Sequence, residues 1–391
     1  RQLPTRIVPV GFEIEGQKTL VEKAIYPELI LEKIYKNISQ YFSQTLPRLR
    51  PINEGKIKEI TTVHDTLTAK YIFFKNVVLR ISKDGREEIE YKDINSYIAN
   101  SGEDNGQFVW NTSILDREYY PCSSVGMFQT FIKCICGLGS YPEQQTQERI
   151  RSLKSIFGYL MHDNYECNLK AVVFTDAVID QGVPSGGTGK GLIGKALGHI
   201  VNKNFDIDKC YISVPGKDFD TTKDTRYSSG DATTHLIHIE DAKKEFKIED
   251  IFGDVTENVV FRRLHHDPCY HKSKIMISTN YPFDIAKPSV KRRVHIFELH
   301  NYFNAYTTPI DVLGGRMFES NWTDKDWLSY DNFMIESCEE YMRNGLPDLG
   351  EINYSDNVLN NVMLPEVNTW FKAYFKEAYI KKELTFYSIE K

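Results

Sequence analysis

Lys190 stands between Gly189 and Gly191 at the end of the run Gly182-Val183-Pro184-Ser185-Gly186-Gly187-Thr188. Glycines let a backbone turn tightly enough to aim successive N–H groups at a polyphosphate, and a helix starting there adds the positive end of its dipole. The lysine then reaches the outer phosphates. The expected phosphate-binding segment is Pro184, Ser185, Gly186, Gly187, Thr188, Gly189, Lys190, Gly191 and Leu192. It departs from the common pattern twice. Pro184 replaces the opening Gly, and Gly191 replaces the Ser or Thr whose hydroxyl ordinarily binds Mg²⁺.

Phosphate binding alone fits a kinase, a GTPase or a motor, so residues further along must discriminate. His235-Leu236-Ile237-His238-Ile239 is an apolar strand ending in two adjacent carboxylates, Glu240 and Asp241. One can hold Mg²⁺ directly or through water while the other orients and polarises an attacking water. An acidic surface at a strand end is the plain alternative, and Lys190 upstream favours the catalytic one. Ile275-Met276-Ile277-Ser278-Thr279 ends in Asn280, whose amide can meet a terminal phosphate or the lytic water, although Asn also simply terminates strands. Arg292 and Arg293 precede a further strand and suit charge stabilisation at a neighbouring subunit's nucleotide, against the reading of a basic surface turn. Between the acidic strand and Asn280, Val259 to Lys274 reads as a β-hairpin. Its Arg263, His265, His266 and Lys272 would contact nucleic-acid phosphates without reading bases, or else form a solvated hairpin.

These residues need a scaffold, and the chain supplies its pattern. The β-rich run Lys170 to Ile179 leads into the loop, and Ile193, Ala196, Leu197, Ile200 and Val201 mark the helix after it. Short apolar runs at 210–214, 236–239, 275–278 and 294–297 predict a mostly parallel sheet covered on both faces. Upstream, Pro27 opens a helical pattern through Phe42. Tyr71 to Ile81 reads as one strand, turning at Ser82-Lys83-Asp84-Gly85 into Glu87 to Tyr91. Residues 100–125 read as irregular. Thr146 to His162 reads as a helix whose Arg149, Arg151 and Lys154 form a solvated face. Downstream, a helix over Trp327 to Arg343 stops at Asn344-Gly345, followed by an amphipathic stretch around Trp370 and Tyr374; these helices read as a lid or subunit contact. The expected organisation is an α+β region over 1–120, a helical collar over 121–168, an ATPase core over 169–300 and a helical region over 301–391.

At 391 residues, with 41% hydrophobic and 26% charged content, the chain has material for two or three cores, and no apolar run approaches a membrane span. A net charge of −6 argues against wholesale coating of nucleic acid but permits a narrow basic channel. Seven cysteines without a CxxC pair fit free thiols in a reducing compartment, so a cytoplasmic setting is expected. Cys269-Tyr270-His271 has no second pair with which to complete a metal site. Arg1 in place of a Met suggests a piece of a longer protein.

The order of phosphate loop, Glu240-Asp241 strand, basic hairpin, Asn280 strand and Arg292-Arg293 resembles the superfamily 3 helicases, a branch of the AAA+ ATPases. Within it, the chain is similar to the D5-like primase-helicase group of phages, plasmids and poxviruses, over most of residues 70–345. The resemblance implies an α/β fold with an AAA+ P-loop ATPase core, preceded by an α+β region and followed by a small helical domain. It also implies ATP and Mg²⁺ as cofactors, and a hexameric ring that moves on single-stranded DNA and unwinds a fork. The hairpins would converge on the ring axis. A primase or primase-polymerase domain ahead of residue 1 and a host cytoplasm, bacterial for a phage, belong to the same implication. Gly191 keeps a second reading open: a nucleotide-dependent DNA-binding or origin-melting protein without processive unwinding. A small-molecule kinase leaves Asn280, the arginines and the hairpin unexplained.

Overall fold

The computed structural model describes residues 6–14, 17–25, 62–101, 109, 113–166, 169–177, 187–202, 209–262, 267–281, 287–319, 322–347, 366–367, 369–370 and 373–374. The helix expected after Pro27, the loop residues Pro184, Ser185 and Gly186, and Arg263, His265 and His266 of the hairpin lie outside the described residues. The chain divides into two compact units, Arg1–Ile60 and Thr61–Lys391. In the first, β1 (Arg6–Ile14) and β2 (Gln17–Ile25) form an antiparallel hairpin in which Ile14 faces Gln17.

The second unit opens with an antiparallel sheet of β3 (Ala69–Phe73), β4 (Val78–Ser82) and β5 (Gly85–Ile89). The single strand expected from Tyr71 to Ile81 is therefore two strands. They are joined by a tight turn in which the Phe74 amide donates to the Val77 carbonyl at 2.9 Å. The turn is two polar residues, Lys75 and Asn76, set between apolar pairs, with no glycine or proline to mark it. Gly85 takes φ +125° in the next turn, at the Ser82-Lys83-Asp84-Gly85 signal. Helix α1 (Ile94–Ser101) follows, and residues 113–126 are irregular, as the polar composition of that stretch predicts.

Two helices, α2 (Met127–Ile135) and α3 (Glu143–Met161), lead to the parallel sheet. Its strands and the elements between them are, in chain order, β6 (Ala171–Asp176), α4 (Lys190–Val201), β7 (Tyr211–Pro215), β8 (Leu236–Ala242), α5 (Phe252–Thr256), the hairpin β9 (Val259–Phe261) and β10 (Cys269–His271), β11 (Lys274–Thr279), α6 (Pro288–Arg293) and β12 (Val294–Leu299). The spatial order is β12-β6-β11-β8-β7, and every neighbouring pair is parallel. Alternate residues serve opposite faces. Val172, Phe174, Met276 and Phe297 pack with α2, α3, α4 and the later helices, whereas Ala171, Val173, Ile239, Ile277 and Ile296 pack with Phe219, Tyr227, Ile251 and Phe261. Continuous apolar strands are the expected consequence of burial on both faces.

The chain closes with α7 (Pro309–Leu313) and α8 (Asp324–Asn344), the latter ending at Gly345 with φ +67°. α8 is core and not a lid: Tyr330, Phe333, Met334, Ile335 and Cys338 are buried against α3 and α2. At Gly158 α3 packs tightly on α8, since a Cβ there would stand 2.2 Å from the Ser337 carbonyl oxygen. Arg151 is exposed as a solvated face requires, but Arg149 and Lys154 are not. Arg149 is 3% exposed, donates to the carbonyls of Cys136 and Glu298 and lies over the Phe297 ring, while Lys154 pairs with Glu336 at 2.6 Å. Among the described residues no helix is long and apolar enough to cross a membrane.

Candidate functional site

The loop helix begins at Gly189, whose φ of +103° and crowding against the Phe131 ring, 2.6 Å from where a Cβ would stand, exclude other residues. Among the described residues no side chain caps the first turn of α4, the end of a helix where backbone N–H groups can meet an anion. Lys190 follows, only 9% exposed. Its Nζ lies 2.5 Å from Asp176 Oδ1 at the end of β6 and 3.1 Å from the Thr188 hydroxyl, which donates to the same carboxylate oxygen at 2.6 Å. Burial lowers the proton affinity of Lys190 below that of an ordinary lysine, opposed by the charges of Asp176 and, beyond it, Asp241.

Facing this lysine, β8 and β11 lose register. Ile239 pairs with Ile277 and Ala242 with Thr279, so Glu240 and Asp241 together face Ser278 alone, which is a β-bulge. Asp241 absorbs the extra residue with φ +57°, and its N–H donates to Ser278 Oγ at 3.2 Å. Such a conformation in a non-glycine residue costs about 1–2 kcal/mol and persists only where neighbours hold it. The bulge re-aims both acids. Glu240 Oε2 accepts from Ser213 Oγ at 3.0 Å, and its Oε1 lies 3.3 Å from the position a Cβ would take on Gly191. Gly191 is therefore where the acidic strand meets the loop helix, and a side chain there would press on the Glu240 carboxylate. Lys217, just past β7, sits 3.4 Å from Asp241 Oδ2.

Asn280 follows β11 two residues beyond the Ser278–Phe174 pair, level with Asp176, and its Oδ1 is buried with no hydrogen-bond partner among the described residues. Thus Lys190, Gly191, Glu240, Asp241 and Asn280 gather at the carboxyl ends of the strands. Connections from β6 and from β11 leave in opposite directions around that point, the arrangement in which open α/β sheets form ligand crevices. Arg292 and Arg293 do not join them. Val294 pairs with Ala171 at the opposite end of β6 from Asp176, about 16 Å away along the strand. Arg293 lies over the Phe252 ring at 4.9 Å, and Arg292 is exposed. Lys272, also exposed, precedes β11 at that same far end.

Glu240, Asp241 and the Asn280 amide oxygen are hard donors of the kind that suit Mg²⁺. Among the described residues no three His, Cys, Asp or Glu side chains could hold a metal by themselves, so an ion here would need oxygens from its nucleotide and from water. Sequence reasoning missed Asp176, Ser213, Lys217 and Ser278. Asp176 had one signal, a carboxylate ending an apolar strand; the others are ordinary polar letters.

No protein-family profile and no curated protein matches the chain. Among solved structures, it is similar to the C-terminal region of NrS-1. An apo structure of that region is 12% identical over 77% of this chain and 72% of that one, with a TM-score of 0.31. An A-form apo structure is 11% identical over 82% of each chain, with a TM-score of 0.32.

Proposed function

We propose that this chain is an ATP-hydrolysing DNA helicase motor of the superfamily 3 type, built on an AAA+ core and working as a hexameric ring on single-stranded DNA at a fork. One observation carries the reading: Lys190 at the start of α4 and the Glu240-Asp241 bulge converge across Gly191. In this reading the open N–H groups of α4 and the Lys190 ammonium bind the β- and γ-phosphates, displacing Lys190 from Asp176. One of Glu240 and Asp241 would hold Mg²⁺, directly or through water, and the ion would supply neutralisation of phosphate charge. The carboxylate not engaged with the ion orients the attacking water, and the unsatisfied Asn280 Oδ1 accepts a hydrogen bond from it. Arg292, exposed and remote from its own chain's Lys190, serves the nucleotide of a neighbouring subunit, with Arg293 held on Phe252 beside it. The hairpin bearing Arg263, His265, His266 and Lys272 contacts DNA phosphates. A primase or primase-polymerase partner domain belongs to the same proposal.

The test is ATP turnover with and without single-stranded DNA, strand separation, and negative-stain imaging with both ligands. We expect DNA-stimulated turnover, rings with a central channel, and loss of both activities in Lys190→Ala. Unwinding that survives Lys190→Ala would refute the assignment. Rings that form on ATP without turnover would point to the nucleotide-gated DNA-binding or origin-melting alternative.

A further inference from the structure

The end of the sheet that carries Lys190 and the acidic bulge holds a second polar cluster, on the β12 side. Arg149 of α3 donates from Nε to the Cys136 carbonyl at 3.2 Å and from Nη2 to the Glu298 carbonyl. Its Cζ lies 4.9 Å over the Phe297 ring and 5.7 Å from the centre of the Tyr141 ring. Tyr141 meets the His300 ring edge to face, with centroids 5.1 Å apart. Three buried polar atoms here have no hydrogen-bond partner among the described residues: Arg149 Nη1, His300 Nδ1 and Asn301 Oδ1. Burial and the Arg149 charge lower the proton affinity of His300, which keeps its ring neutral near pH 7.

A buried donor or acceptor without a partner is costly, and native proteins leave few of them. Here one atom only donates, one only accepts, and a neutral imidazole nitrogen does either. The cluster also touches the phosphate loop. Ile135, at the end of α2, has its Cγ2 3.8 Å from the place a Cβ would take on Gly189, and its carbonyl accepts from the His300 N–H at 2.8 Å. Leu299 pairs with Asp176, and the Ala177 N–H donates to the Leu299 carbonyl at 2.8 Å. His300 and Asn301 therefore leave β12 beside the start of the loop.

Strand order fixes which end of a nucleotide comes here. Glu240, Asp241 and Asn280, the residues that would handle the ion and the attacking water, stand at the ends of β8 and β11 on one side of β6; β12 lies on the other side. With the γ-phosphate turned toward the acids, the α-phosphate and the nucleoside extend from Lys190 toward β12. A nucleobase is a planar ring with donors and acceptors side by side on its edge and a π-face that packs on aromatic side chains. The three orphaned atoms and the Tyr141 and His300 rings offer the matching contacts.

We propose that Arg149, His300 and Asn301, with the Tyr141 ring, form the nucleobase site of the nucleotide that Lys190 holds. The inference rests on the ATPase reading above and names the contacts at the other end of the same ligand. Asn301→Leu and His300→Phe each replace an orphaned atom with an apolar group of similar shape and leave the Arg149 bonds to Cys136 and Glu298 in place. The experiment is calorimetric titration with ATP and with inorganic tripolyphosphate, each with Mg²⁺, beside the melting temperature without ligand. The wild type should bind ATP at least about tenfold tighter than tripolyphosphate. Each variant should lose about tenfold in ATP affinity, the worth of one buried hydrogen bond, and keep its tripolyphosphate affinity within about twofold. Without ligand the variants should melt no lower than the wild type, because a buried orphan has been removed. Equal losses for ATP and tripolyphosphate would show that the residues act through the phosphate loop. Unchanged ATP affinity would show that the atoms meet only water, and a lower melting temperature in both variants that they already serve the fold. Each of these overturns the proposal. A wild type that binds neither ligand would refute the ATPase reading instead. Adenosine titrated against the ¹⁵N signals of His300 would then decide the base site, a shift supporting it and no shift overturning it.

Discussion

Replacing Lys190 tests the proposed phosphate loop, and it should also destabilise the protein. Asp176 is 1% exposed, and its Oδ1 receives both the Lys190 ammonium at 2.5 Å and the Thr188 hydroxyl at 2.6 Å. Removing one partner of such a buried pair leaves an uncompensated charge, at a cost of about 3–5 kcal/mol. The surviving Thr188 bond offsets about 1 kcal/mol. We therefore predict that Lys190→Met loses about 2–4 kcal/mol of folding stability, and that Asp176→Asn, which strands the ammonium, loses a similar amount. The double variant carries no buried charge and should recover to within about 1 kcal/mol of the wild type, while remaining unable to turn over ATP. Urea or thermal unfolding of all four proteins without nucleotide measures the cycle. The single variants should melt about 4–8 °C lower. Single variants as stable as the wild type, or a double variant less stable than either, would show that the Asp176 contact does not hold Lys190 in the ground state.

Three more predictions test the scaffold and the site. Gly158→Ala should lower stability by about 1–2 kcal/mol, because a Cβ placed 2.2 Å from the Ser337 oxygen forces α3 and α8 apart by more than the roughly 1 kcal/mol gained in helix propensity; a raised melting temperature would contradict the close crossing. Gly191→Ser puts its Cβ 3.3 Å from Glu240 Oε1, so ATP turnover should persist with an altered Mg²⁺ dependence, and an unchanged profile would count against the contact. His162 and His235 are held neutral by burial, each with its pKa pushed down to about 3. The unfolded chain thus binds more protons as pH falls below the ordinary histidine value, and each should cost about 2 kcal/mol between pH 7 and pH 5. Asp163, whose carboxyl is raised by burial and by Asp65, works the other way closer to its own range. Equal urea midpoints at the two pH values would refute the buried neutral histidines.

The parallel strands were legible because a strand buried on both faces must be apolar throughout, and α4 because its apolar spacing follows a glycine-bounded lysine. The turn signal Ser82-Lys83-Asp84-Gly85 and the stop at Gly345 were legible for the same local reason: backbone conformations that favour glycine name themselves. The turn at Lys75-Asn76 was invisible because it carries no glycine or proline and lies inside a strand-like pattern. The burial of Arg149 depends on carbonyls of Cys136 and Glu298, far from it in sequence, and no helical pattern encodes them. α8 looked like a peripheral helix because amphipathic spacing shows that a face is buried but not what buries it. The residue types at positions 189–191, 240–241 and 280 pointed, from local chemistry alone, to the set that we propose handles phosphate. Only the tertiary structure decided that Asp176 holds Lys190, that Arg292 stands at the other end of the sheet, and that Gly191 makes room for Glu240. Each depends on strand order and on a one-residue bulge against Ser278, which arise between segments distant in the chain, whereas propensity and periodicity act only between neighbours.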